Sequence, residues 1–248
     1  MPSSLPSEIL DLIVDHLHDE PATLKACCVA SKSWVSRTRR YLFACVEFHA
    51  EESTPQSWMK VFSDPSNSPA HNARSLLIHD PLIFTAASIN SRSWICAFQR
   101  VVHLELEVLR WYGGQDSLVP LHGVSLILKT LSIFCVSIPP SETFSIICSF
   151  PSLENLTFMA LADGRSDGWI IPPTSPGLTG TLALSVPPTN GTRRIVRHLL
   201  DLPDGLRFSR ISVDCPIEDA ESTVDLVLRC FDTLESLCIS CLFSGALR

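Results

Sequence analysis

The chain has 248 residues, 46% of them hydrophobic and 18% charged, with 19 basic against 26 acidic side chains and a formal net charge of −7. That balance excludes a disordered segment and repels phosphate backbones and anionic lipid, so neither nucleic acid nor a membrane is expected as a partner. The mean hydropathy of +0.23 is high, yet no run reaches the roughly 18 uninterrupted apolar residues of a spanning helix, whereas strands buried on both faces of a parallel sheet would account for the excess.

The first twenty residues place acidic groups, and no basic segment, around their apolar positions, so no secretory signal is expected. The expected compartment is therefore intracellular, cytoplasmic and/or nuclear, with the ten cysteines reduced. Pro6 suits a first helical turn and Glu8 suits its positive dipole end. Ile9, Leu10, Ile13, Val14 and Leu17 then recur at helical spacing, which predicts one apolar stripe. Pro21 restarts the chain, and Leu24, Cys27 and Cys28 mark a second helix. Ser31 is placed to cap a third, which carries Trp34 and ends near Leu42 and Phe43. Three helices in so short a stretch are too small to be stable alone, so the module should lean on a partner. Arg37, Arg39 and Arg40 read as a solvated helix face. His16, His18, Cys27 and Cys28 do not read as a metal site, because residues two apart on a helix point to different sides.

The sequence Leu5-Pro6-Ser7-Glu8-Ile9-Leu10, followed by Ile13, Leu17, Leu24, the run Ala30-Ser31-Lys32-Ser33-Trp34 and then Tyr41-Leu42-Phe43, resembles an F-box over residues 5–43. The resemblance implies docking on the Skp-type adaptor of a cullin-RING ubiquitin ligase and, through it, on the cullin. It implies that Leu5, Pro6, Ile9, Leu10, Ile13 and Leu17 make that contact, with Leu24 and Trp34 supporting it.

Residues 51–73, rich in Ser, Pro, Asn and Glu, read as a connector with a helical turn around Trp58 to Phe62. Beyond it the chain repeats. Apolar-x-apolar pairs fall at Leu76/Ile78, Leu104/Leu106, Leu131/Ile133, Leu156/Phe158, Leu182/Leu184, Ile211/Val213 and Leu237/Ile239, a period of about 27 residues. Leu128-Lys-Thr-Leu131-Ser-Ile133, Leu153-Glu-Asn-Leu156-Thr-Phe158 and Leu234-Glu-Ser-Leu237-Cys-Ile239 fit the L-x-x-L-x-L phrase of a leucine-rich repeat. Helices are expected between strands at Phe144, Ile147 and Cys148, at Val196, Leu199 and Leu200, and at Val224, Val227, Leu228 and Phe231. Glycines and prolines between residues 159 and 179 predict an irregular excursion instead. The expected fold is α/β: a short three-helix module over residues 1–50, the connector over 51–73, and a leucine-rich-repeat solenoid over 74–248 whose curved parallel sheet has about seven strands. The whole chain, including the segments at residues 167–185 and 202–213, resembles basidiomycete F-box proteins with degenerate repeats, a resemblance that implies a substrate receptor.

In such a sheet the apolar-x-apolar residues point inward and their neighbours point to the concave face. His79, His103, Glu105, Glu107, Phe134, Met159, Arg210 and Asp214 are thereby candidates for binding a target protein, with Phe134 and Met159 as apolar anchors. Cys135, Cys215 and Cys241 share one repeat position and read as core members of that column, and Cys238-x-x-Cys241 lacks a second ligand pair. Gly164-Arg165-Ser166-Asp167-Gly168 formally matches a nucleophile elbow, but Pro172 and Pro173 follow too soon for the helix that elbow needs. No catalytic residue, metal site or cofactor is expected. The leading expectation is a non-enzymatic subunit of an SCF-type ligase that holds a protein target for ubiquitin transfer by others. The alternatives are an interaction scaffold independent of any ligase and, well behind it, a serine hydrolase using Ser166.

Overall fold

The computed structural model describes residues 6–49, 55–62, 64, 67–79, 95–108, 121–122, 124–135, 140–159, 176–185, 191–216 and 220–242. Helices α1 (Ser7–His16), α2 (Pro21–Ala30) and α3 (Lys32–Leu42) come first, followed by strand β1 (Cys45–Phe48) and helix α4 (Pro55–Val61). Strands β2 (Ser75–His79), β3 (His103–Val108) and β4 (Thr130–Cys135) precede α5 (Pro140–Cys148), β5 (Asn155–Met159), β6 (Thr181–Ser185), α6 (Gly191–Leu200), β7 (Arg210–Pro216), α7 (Ala220–Arg229) and β8 (Ser236–Leu242). All eight strands run parallel in one sheet, in sequence order. This is a solenoid-like α/β fold in which each repeat contributes one strand.

The apolar-x-apolar pairs lie at equivalent positions along the sheet: Leu76 pairs with Leu104, Leu104 with Leu131, Leu131 with Leu156, and so on to Ile211 with Leu237. From β2 to β7 these residues are buried in one continuous core with Phe144 and Ile147 of α5, Val196 and Leu199 of α6 and Leu226 of α7. Each such side chain contributes roughly 1.5–3 kcal/mol by leaving water.

A second device recurs at the strand beginnings. The carbonyl of the residue before a strand accepts two backbone N–H groups from the next repeat: Ala44 O from Arg74 and Ser75, Arg74 O from Val102 and His103, Val102 O from Lys129 and Thr130, Lys129 O from Glu154 and Asn155. Between β5 and β6 the pattern changes. Glu154 O takes only the Gly180 N–H, and the Thr181 N–H is accepted instead by the Asn155 side-chain oxygen at 2.8 Å. Gly180 permits this, since a Cβ there would sit 2.3 Å from Asn155 Oδ1.

Three features lie beyond the sequence expectations. The sheet has an eighth strand, β1, within the residues assigned to the helical module. Cys-Val-Glu-Phe is short and lacks the repeat phrase, but alternates so that Val46 and Phe48 are buried. The stretch read as a connector also supplies core: Ala70, within a short 3-10 turn (Pro69–Asn72), and Ala73, just after it, are fully buried, and Trp58 of α4 packs against the same cluster. In α7, finally, the apolar stripe faces outward. Thr223, Leu226 and Cys230 are buried, while Val224, Leu228 and Phe231 are exposed. Periodicity finds an apolar stripe but not the side on which a neighbour stands.

No helix among the described residues is long and apolar enough to cross a membrane. Side chains of Cys135, Cys215 and Cys241 lie outside the described ones, as do Leu5 and the segment around Ser166.

Candidate functional site

The first candidate surface is the N-terminal module. Val14, Leu24 and Cys27 are buried together with Thr38, whose hydroxyl donates to the carbonyls of Trp34 and Val35. Ser31 occupies the N-cap of α3 without a side-chain cap bond; its hydroxyl pairs with that of Ser33 at 2.8 Å. Polar groups clamp α1 to α3. The Arg37 guanidinium donates to both Asp15 oxygens, through Nε at 2.6 Å and through Nη2, and reaches Asp11 at 3.4 Å, while the Tyr41 hydroxyl donates to Asp15 at 2.6 Å. The hydrogen bonds from Arg37 and Tyr41 hold the Asp15 carboxyl down to about 2, and the same carboxylate raises Arg37 and Tyr41. Arg37 is therefore not part of a solvated face.

That internal packing leaves much of the expected adaptor stripe uncovered. Ile9 is 42% exposed, Ile13 40% and Leu12, which the periodicity did not single out, 63%. Pro6 is exposed, and Leu10, Leu17 and Trp34 are half-buried. Leu24 is buried and can only support the module from within. The Trp34 Nε1–H is buried without an acceptor among the described residues.

Arg40 turns to a cavity of about 360 Å3, shared with Arg74 and Arg100, which precede β2 and β3 in the chain, and with His71 and Asn72. This concentration of positive charge escaped the sequence because its members are some thirty residues apart.

The second surface is the sheet face opposite the buried pairs. His79, Glu107, Phe134 and Met159 lie side by side in one row across β2 to β5. His103 stands in the row with Ser75 and Thr130, Glu105 in the row with Leu77 and Ser132. Arg210 and Asp214 are on β7, separated from β5 by the small residues Thr181, Ala183 and Ser185 of β6. The eight candidates share a face, but only the first row is contiguous. Met159 is exposed and Phe134 half-buried.

At one end of that row stands a cluster the sequence did not predict. The His79 ring reaches Glu107 through Nδ1 and Glu47 through Nε2, the latter at 2.7 Å. Carboxylates only accept, so two ionised glutamates flanking the ring favour its doubly protonated form. The bond from Glu47 raises the His79 pKa and, reciprocally, lowers that of Glu47. His49 adds a contact from Nε2 to Glu47 Oε1 at 3.1 Å and stacks on His79, with ring centroids 4.4 Å apart. His49 and Glu47 became visible only when β1 joined the sheet.

Burial raises the thiols of Cys148, to about 11, and of Cys230, which makes both poor nucleophiles. No family model, curated protein or solved structure matches the chain.

Proposed function

We propose that this chain is the substrate-recognition subunit of an SCF-type cullin-RING ubiquitin ligase, with residues 5–43 docking a Skp-type adaptor as an F-box and a leucine-rich-repeat face holding the target protein. The observation that carries this reading is the exposure of Ile9, Leu12 and Ile13 on a helix whose inward side is already filled by Val14 and clamped by Asp15. Apolar side chains left out of a completed small core are what an obligate partner would cover. The scaffold alternative, in which the module packs its stripe on its own repeats, needs those residues buried and gains no support from them.

In this reading the chain performs no bond chemistry. Its α1 face fixes the adaptor, the sheet holds the target at a set distance, and ubiquitin transfer is carried out by other subunits. The row Glu107, Phe134 and Met159, with His79 at its end, provides an apolar centre beside charge, as a binding hot spot requires.

The test is retention of purified Skp adaptor by the full chain. Wild type is expected to retain it. Ile13→Asp, which puts a charge on an exposed position without disturbing Val14 or Asp15, is expected to lose it while keeping the wild-type circular dichroism. Failure of the folded wild-type chain to hold the adaptor would overturn the reading.

A further inference from the structure

Glu47, His49, His79 and Glu107 are brought together from three adjacent strands. His79 and Glu107 are register partners, and His49 follows Phe48, whose partner Ile78 precedes His79. Glu47 lies two residues before His49, on the same face. Strands about 4.8 Å apart therefore line up two imidazoles and a carboxylate in one row, with a second carboxylate beside them. One potential ligand atom from each of Glu47, His49 and His79 lies within 4.8 Å of the others.

We propose that Glu47, His49 and His79 bind a divalent transition-metal ion of the zinc class, with Glu107 as the outer partner that orients His79. Two imidazoles and one carboxylate are a zinc ligand set that leaves a fourth position open. Imidazole nitrogens select zinc and its neighbours over calcium or magnesium, which prefer oxygen throughout. Glu47 Oε1 is 2.7 Å from His79 Nε2 and 3.1 Å from His49 Nε2, near the separation of about 3.3 Å that tetrahedral ligands at zinc distances require. The ion takes the place of the Nε2 proton that His79 directs at Glu47, which leaves as it binds, while His49 binds through an Nε2 lone pair with its ring proton on Nδ1.

The outer contact matches this role. Metal-bound histidine characteristically donates its other ring N–H to a carboxylate, which fixes its tautomer, and His79 Nδ1 already meets Glu107. One movement is required. The stacked His49 and His79 rings lie 12° from parallel, so an ion in the plane of one is out of the plane of the other until His49 swings. His49 lies just past the end of β1 and its side chain is 46% exposed, which leaves it room to turn. The open position then faces solvent on the same side of the sheet as Phe134 and Met159, within reach of a donor from an incoming protein.

The experiment is titration of the reduced, chelator-treated full chain with Co2+, followed by displacement with Zn2+. One equivalent of Co2+ is expected, giving visible d–d bands without thiolate charge transfer. His49→Ala and His79→Ala should each abolish that equivalent, and Glu107→Gln should weaken it about 10- to 100-fold. Glu47→Gln is the further variant should either histidine substitution fail to give the wild-type circular dichroism; it should also remove the equivalent. Absence of saturable binding, binding unchanged in the folded variants, or a signal dominated by thiolate charge transfer would each overturn the proposal.

Discussion

The two ends of the sheet carry the same pattern with opposite outcomes. At the β1 end the inward residues Val46 and Phe48 are 5% and 1% exposed; at the β8 end their counterparts Leu237 and Ile239 are 44% and 45% exposed. The difference lies in what stands beside them. Phe48 sits in an aromatic cluster with Trp58 at 5.7 Å and Phe98 at 6.1 Å, and Phe43 and Phe62 also contact Trp58. In the segment that leads into β8, Val224, Leu228 and Phe231 of α7 and its C-terminal turn are themselves exposed. Register aims a side chain at the core, but only the next layer of structure removes it from water.

The largest test of this contrast is a matched pair. Phe48→Ala should cost about 3–5 kcal/mol in urea unfolding, as expected for truncating a buried aromatic. Ile239→Ala should cost less than about 2 kcal/mol, because nearly half of its surface is already in water. Equal losses would mean that the β8 end is covered in solution and would break the comparison.

Gly180→Ala tests the interior between the two ends. Its Cβ would displace the Asn155 side chain and strand the Thr181 N–H, at a cost of about 1–3 kcal/mol. Gly205→Ala meets no atom within 4 Å and only has to hold a φ of +71°, so its cost should be smaller, about 1 kcal/mol. The reverse order in thermal melts would show that the Asn155 bridge contributes nothing.

The smallest expected effect separates the ends by pH. The Asp15 carboxyl is lowered from its usual 3.8 to about 2 in the folded module. Its contribution is therefore complete above pH 3.8 and is lost as pH falls toward 2. Amide exchange in acid should show α1 and α3 losing protection over that range while β7 keeps it, and Asp15→Asn should remove the pH dependence. A flat profile in wild type would mean that the clamp is not formed in solution.

Most of the sheet was legible because its signal is local and repeated. Leu131/Ile133 and Leu156/Phe158 announce their strands by alternation and recur at one period, and their inward direction follows from the pleat. β1 was not legible: four residues without the repeat phrase adjoin a helix, and only pairing with β2 identifies them as a strand. For the same reason the face carrying His79, Glu107, Phe134 and Met159 could be read off, while Glu47 and His49 could not. Residues 32 positions apart become neighbours through register, which periodicity does not carry. In α1 the stripe was legible as apolar, but its division into an inner Val14 and an outer Ile9 and Ile13 depends on where α3 lies.

By itself, then, the order of residues determined the helices of the N-terminal module, the strands β2 to β8, the period of the repeat and the apolar side of those strands, since these follow from interactions within a few residues. The tertiary structure decided which apolar side chains remain in water and which titratable groups meet. Both depend on contacts between segments roughly 25 to 35 residues apart, whose positions are set by the stacking of whole repeats.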